Sequence, residues 1–172
     1  LVNCAIDVVG DSDTFRFNGV AGEVVVLRNV AVTTGNPCVQ LFDPGGSSLG
    51  GGCIPPWLLI RLTSTGVHTV EVIDFGNDQA PMYRLAIERV APPTPAATPI
   101  QYGQTLDGEL NPINDIDAFS FSGTAGETVS VQGAPQTGQT GVPCVELYDP
   151  LGTLMGGACV PSRIDRPLTQ TG

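Results

Sequence analysis

Five cysteines and a recurring pair of aspartates are the residues of this chain whose types and spacing can do chemistry. Cys38 and Cys53 are 15 residues apart, and so are Cys144 and Cys159. The equal spacing predicts two disulfides, each closing one loop within its own stretch of chain. A loop of that size removes unfolded-chain entropy worth about 3 kcal/mol. A cysteine-based zinc site would need more cysteine or histidine close by, and the chain has a single histidine, His68. Cys4 is left without a partner. An odd cysteine in a secreted protein points to a bond with another chain or with a further segment, a buried free thiol being the other reading.

Asp11, Asp13, Asp115 and Asp117 offer hard oxygen ligands of the kind Ca²⁺ takes, with Asp74, Asn77 and Asp78 as further donors. Two carboxylates at a time are too few for a six- to eight-ligand site. An aspartate just ahead of a strand also satisfies backbone N–H groups in a turn. Calcium thus stands as the lesser reading and a turn-forming role as the greater. The same pairs can be imagined as a general acid and base, yet they recur at turn positions, and no nucleophile has an evident base beside it. His68 lies in an alternating stretch and is expected to face solvent if Val67 and Thr69 set the register. No cofactor and no catalytic residue is expected. Trp57, Phe75, Tyr83 and Tyr102 are candidates for a sugar or peptide platform. Against that, few aromatics serve the whole chain, with Phe15, Phe17, Phe119 and Phe121 expected to divide between core and surface.

The elements that must carry these residues come in two copies. Gly10-Asp11-Ser12-Asp13-Thr14-Phe15-Arg16-Phe17 matches Asn114-Asp115-Ile116-Asp117-Ala118-Phe119-Ser120-Phe121 at an offset of 104. Gly19-Val20-Ala21-Gly22-Glu23 meets Gly123-Thr124-Ala125-Gly126-Glu127 at the same offset, and Cys4 meets Gly108. Two residues are then inserted. At an offset of 106, Pro37-Cys38-Val39-Gln40-Leu41-Phe42-Asp43-Pro44 meets Pro143-Cys144-Val145-Glu146-Leu147-Tyr148-Asp149-Pro150. The match runs through Cys53-Ile54-Pro55 against Cys159-Val160-Pro161, and Leu62-Thr63-Ser64-Thr65-Gly66 against Leu168-Thr169-Gln170-Thr171-Gly172. The first copy continues with alternating stretches at 67–73 and 83–89, each expected to present three or four apolar side chains inward, and the second has no counterpart for either. These are strand–turn–strand units used twice.

Composition agrees with that picture. Twenty-two Gly and fifteen Pro without a collagen-like period, 41% apolar residues, and no long 3.6-residue apolar period give an all-β chain of many turns. The expected organisation is two tandem antiparallel β-sandwich modules, at 1–90 and 101–172, the second without its last strands. Between them, residues 91–100 form a Pro-rich spacer expected to be extended and semi-rigid. A formal charge of −10 argues against nucleic acid and anionic membrane surfaces as partners. Every basic residue is arginine, so lysine-dependent isopeptide bonds cannot form. No apolar run reaches the roughly 18 to 20 residues of a membrane-spanning helix. With no leader-like start, the chain reads as mature and soluble, and its cysteines place it outside the cell or on its surface.

The order D-x-D-x-F-x-F, G-x-A-G-E, C-V-x-L-[FY]-D-P, T-G-V-H-T-V-E-V and Y-R-L-A-I resembles the bacterial pre-peptidase C-terminal domain family over nearly the whole chain. The resemblance implies jelly-roll-like sandwiches appended to secreted peptidases or strung along extracellular proteins, with calcium-stabilised collagen-binding domains among the relatives. The family's closing G-x-Y-x-L stands here as Pro81-Met82-Tyr83-Arg84-Leu85. Neither copy carries the acidic N-terminal linker that holds calcium in the collagen-binding relatives. The function expected is a non-catalytic structural module of a bacterial secreted or surface protein. It would act as a subunit of an extracellular filament whose copies join head-to-tail by strand donation, with Cys4 locking the joint. The alternative is an accessory substrate-binding or export domain of a secreted peptidase or other hydrolase. Calcium-dependent ligand binding is a third reading.

Overall fold

A computed structural model of the chain describes residues 2–53, 57–111, 113–135 and 141–172, so Ile54 and Pro55 of the repeat lie outside the described residues. The chain is all-β, with strands and no helix among the described residues. It divides into two compact units, Leu1–Ala97 with Leu106–Ala118, and Thr98–Thr105 with Phe119–Gly172.

The first unit is built from β1 (Val2–Ala5), β2 (Ser12–Gly19), β3 (Val24–Ala31), β4 (Pro37–Phe42), β5 (Ser48–Cys53), β6 (Trp57–Arg61), β7 (Gly66–Asp74) and β8 (Met82–Ala91). Its two sheets have the orders β1-β8-β3-β6 and β2-β7-β4-β5, and every pairing is antiparallel. The pairs 4·5, 3·6, 2·7 and 1·8 are those of one long hairpin rolled up so that successive pairs alternate between sheets. That is the connectivity of a jelly roll. β7 and β8 are therefore interior strands of their sheets, β7 between β2 and β4, β8 between β1 and β3.

Alternation decides which side chains meet between the sheets. From one sheet come Val25, Leu27, Ile60, Tyr83 and Leu85, and from the other Val39, Leu41, Val70 and Val72. Phe15 and Phe17 both lie on the core side, partly buried; with Phe121 packed on the second unit's core and Phe119 exposed, the four phenylalanines divide between core and surface as expected. β7 contributes two apolar side chains to this core and β8 two, fewer than the three or four expected of each.

The second unit holds β9 (Thr98–Pro99), β10 (Phe119–Ser120), β11 (Thr128–Val131), β12 (Cys144–Tyr148), β13 (Leu154–Cys159) and β14 (Ile164–Pro167). Its turns repeat those of the first unit. In the first, the amide of Gly22 donates to Leu62 O at 2.8 Å and that of Leu62 to Glu23 O at 2.8 Å; Gly126, Leu168 and Glu127 do the same at 2.8 and 2.7 Å. Gly22 and Gly126 stand at φ +93° and +94°, where only glycine is unstrained, which explains the G-x-A-G-E motif. Asp43 Oδ1 accepts from the amides of Gly45 and Ser47, and Asp149 Oδ1 from Leu151 and Thr153. Both hairpins carry the same irregularity, between Leu41 and Phe42 and between Leu147 and Tyr148.

The division into units differs from the sequence boundaries in two places. Residues 106–118 belong with the first unit. There the Asn114 side-chain amide donates to the carbonyls of Arg28 and Arg84, each at 3.1 Å. The counterpart of β1 falls in this segment, and it has no β8-like strand in its own copy to pair with. The spacer, expected to be extended, instead turns: the Ala97 amide donates to Thr94 O at 2.9 Å, and Thr98–Pro99 pairs with β10. Proline rigidity there serves tight turns rather than a rod.

Candidate functional site

Cys38 and Cys53 are directly opposed on β4 and β5 and joined, with Cα atoms 3.9 Å apart. Cys144 and Cys159 repeat the arrangement on β12 and β13 at the same Cα distance. Two disulfides mark a non-reducing environment. Peptide mapping without reduction is expected to recover 38 linked to 53 and 144 to 159; a link between the two copies would overturn the repeat.

Cys4 is free and partly buried, packed on the core beside Tyr83. Burial pushes its thiol up, with Asp13 adding to the rise and the Tyr83 hydroxyl opposing it. A thiol so placed is a poor nucleophile at neutral pH, and an interchain bond would first require its exposure.

The aspartates are engaged with the protein itself. Asp13 Oδ2 accepts from the Tyr83 hydroxyl at 2.6 Å, bridging β2 and β8 across the core, and burial followed by Asp13 drives the Tyr83 phenol far above its usual range. Asp11 accepts from the Ser12 amide, and Asp115 from the amides of Asn111 and Ile116. Burial, and then Asp115, raises the carboxyl of Asp117. Asp74 accepts amide hydrogens from Asn36, Asp78 and Gln79. No group of three or more His, Cys, Asp or Glu side chains suited to a metal occurs among the described residues. Millimolar calcium is accordingly expected to leave the melting temperature unchanged. A rise of several degrees, lost in Asp13→Ala, would contradict this.

His68 does not face solvent. It is fully buried, while Val67 is half exposed, so the register of β7 is the reverse of that expected. The ring stacks on Phe17 with centroids 5.3 Å apart, and Nδ1 lies 3.2 Å from Gly66 O. Room for it exists because position 19 is glycine, where a Cβ would come within about 3.0 Å of Nδ1. The aromatic platform is not assembled either. Tyr83 is in the core, Trp57 lies in one sheet, and Phe75 follows β7 of the other.

The two strands without a counterpart in the second copy leave two strand edges open in the second unit among the described residues. β3 pairs with both β6 and β8, whereas its counterpart β11 pairs, among the described residues, with β14 alone. β4 pairs with β5 and β7, whereas β12 pairs, among the described residues, with β13 alone. Among the described residues the second unit thus shows the two inner pairs of the rolled hairpin and no counterpart of β7 or β8. The exposure follows: Cys38 is buried and Cys144 exposed, Glu23 buried and Glu127 exposed, Phe15 partly buried and Phe119 exposed at 47%.

Glu23 and Glu127 sit on the same turn. Glu23 Oε2 accepts from the Val20 amide at 2.8 Å, and Oε1 takes an ion pair from Arg89 of β8. Burial pushes this carboxyl up, but the Val20 amide and Arg89 more than offset it and leave it below the ordinary range. Glu127 Oε2 accepts from the Thr124 amide at 2.8 Å and from the Tyr102 hydroxyl at 3.1 Å.

The structure defines an all-β, disulfide-stapled protein whose first unit is a sandwich-like pair of sheets. No family model matches the chain, and no curated protein matches it.

Proposed function

We propose that this chain is a tandem β-sandwich structural module of a bacterial secreted or cell-surface protein. Copies of the module join head-to-tail into an extracellular filament. The observation that supports this most directly is the repeat itself: the same disulfide-stapled hairpin and the same glycine–glutamate turn recur in both units. A head-to-tail contact does not close on itself, so it propagates. Resemblance to pre-peptidase C-terminal domains fits a non-catalytic extracellular module. Electron microscopy of the purified protein across a hundredfold concentration range is expected to show open-ended strings of particles. Monomers throughout would sink the filament reading and leave a single accessory domain.

A further inference from the structure

Residues up to Ala97 belong to the first unit, Thr98–Thr105 to the second, Leu106–Ala118 to the first again, and Phe119 onward to the second. The chain therefore passes from one unit to the other three times between residues 97 and 119, and no residue of that stretch is left outside a unit. A spacer that merely joins two units passes once and leaves the rest of itself in solvent.

Each captured segment has its own fastening. In the second unit, Thr98–Pro99 pairs with β10, and the Ile100 amide donates to Ser120 O at 2.8 Å. Tyr102 follows. Its hydroxyl donates to Glu127 Oε2 at 3.1 Å, and its ring lies 5.9 Å from that of Phe121. A Cβ at position 123 would come within 3.0 Å of that hydroxyl, so Gly123 leaves the room for it. In the first unit, Asp115 folds the other segment by accepting from the amides of Asn111 and Ile116. Asn114 then turns its side-chain amide onto Arg28 O of β3 and Arg84 O of β8, and the Arg84 guanidinium donates to Ile113 O at 3.5 Å. Asn114 stands at φ +76°, and the aligned Gly10 at φ +85°. The turn is common to both copies, whereas the amide that grips β3 and β8 belongs to position 114 alone. Asparagine bears that backbone conformation better than most residues with a side chain.

We infer that residues 98–118 are a double clasp that keeps the connection between the units short, Tyr102 fastening one half to the second unit and Asn114 the other half to the first. Topology makes the halves redundant. With 98–105 released and 106–118 held, the connection still passes directly from Ala118 to Phe119. With 106–118 released and 98–105 held, it passes directly from Ala97 to Thr98. Only when both let go does the whole stretch become a tether, with a root-mean-square span of roughly 25 Å for a flexible chain of that length. Such a connection stays short until two separate fastenings fail and then lengthens at once. The clasp acts within one chain and does not depend on whether copies join head-to-tail.

Four full-length chains test it: wild type, Tyr102→Ala, Asn114→Gly and the double variant. Glycine at 114 keeps the positive φ and removes only the amide. Amide-exchange protection of Ile100 is expected to fall about tenfold in Tyr102→Ala, and that of Asn111 and Ile116 by as much in Asn114→Gly, each without change in the other segment. Small-angle X-ray scattering should give one maximum dimension for the wild type and both single variants, and a value larger by roughly 25 Å for the double variant. Protection retained in β4 and β12 reports that both units stay folded; if Tyr102→Ala loses it in β12, Tyr102→Phe, which removes only the bond to Glu127, replaces it. The inference fails if either segment is unprotected in the wild type, or if either substitution leaves its own segment protected. It also fails if one single variant lengthens the molecule as much as the double variant, or if the double variant is no longer than the wild type.

Discussion

Asp74→Ala is expected to destabilise the first unit by roughly 3 to 5 kcal/mol, the loss of several hydrogen bonds to one buried charge together with stranding of their donors. Asp74 closes β7 and is only 2% exposed. Its Oδ1 accepts from the Asn36 amide at 3.0 Å, and its Oδ2 from Asp78 at 3.3 Å and Gln79 at 3.1 Å. One carboxylate therefore ties the entry of β4 to the turn at which the chain leaves one sheet for the other. Asn77, at φ 53°, completes that turn with its amide on Asp74 O. Alanine removes the acceptor of all three amides at once.

The same geometry fixes a pH dependence. The Asn36 amide, followed by those of Asp78 and Gln79 and opposed by burial, holds the Asp74 carboxyl below the ordinary range. A folded-state pKa below the unfolded one contributes stability that is fully present above the unfolded value, about 3.9, and is lost as pH falls through the folded value. Thermal unfolding followed by circular dichroism should thus show a steeper loss of melting temperature below about pH 4 for the wild type than for Asp74→Asn. Parallel acid limbs, or an alanine variant within about 1 kcal/mol of wild type, would show that the turn is held by something else.

Sequence made legible whatever is encoded locally. The cysteine pairs were found because opposed positions on a short hairpin impose one spacing, and the two hairpins are the same length. The turn at Gly22 and Glu23 announced itself because its φ demands glycine and its amide demands a nearby carboxylate, and both requirements recur at Gly126 and Glu127. The register of β7 was lost on one residue: with Val67 and Thr69 taken to set the inward positions, the histidine between them reads as exposed. Its burial depends on Phe17, Leu62 and Gly19, which come from other elements. The bridges from Asp13 to Tyr83 and from Glu23 to Arg89 join residues 70 and 66 positions apart, and no periodicity reports such pairs. Residues 106–118 were assigned to the second copy by alignment, yet a strand's place is set by its partner. With no β8 equivalent beside it, this segment lies with the first unit.

Removing one disulfide from each unit should have unequal consequences, although the two bonds close loops of the same length at the same place in the fold. Each loop contributes about 3 kcal/mol in chain-entropy terms. The first unit sets against that loss eleven buried core residues drawn from both sheets, among them Val70, Val72, Tyr83 and Leu85 of β7 and β8. The second has four, Val129, Leu147, Ile164 and Leu168, in a unit of about sixty residues. Lacking the equivalents of those four β7 and β8 side chains, it forgoes roughly 1.5 to 3 kcal/mol for each, a sum comparable to the whole stability of a small domain. Small units with thin cores depend on staples. Cys38→Ser with Cys53→Ser should lower the first unit's melting temperature and leave it folded. Cys144→Ser with Cys159→Ser should unfold the second unit, seen as loss of amide-exchange protection in β11 to β14 while the first unit keeps its own. Equal losses in the two variants, or a second unit that stays protected without its disulfide, would mean that its four-residue core is sufficient.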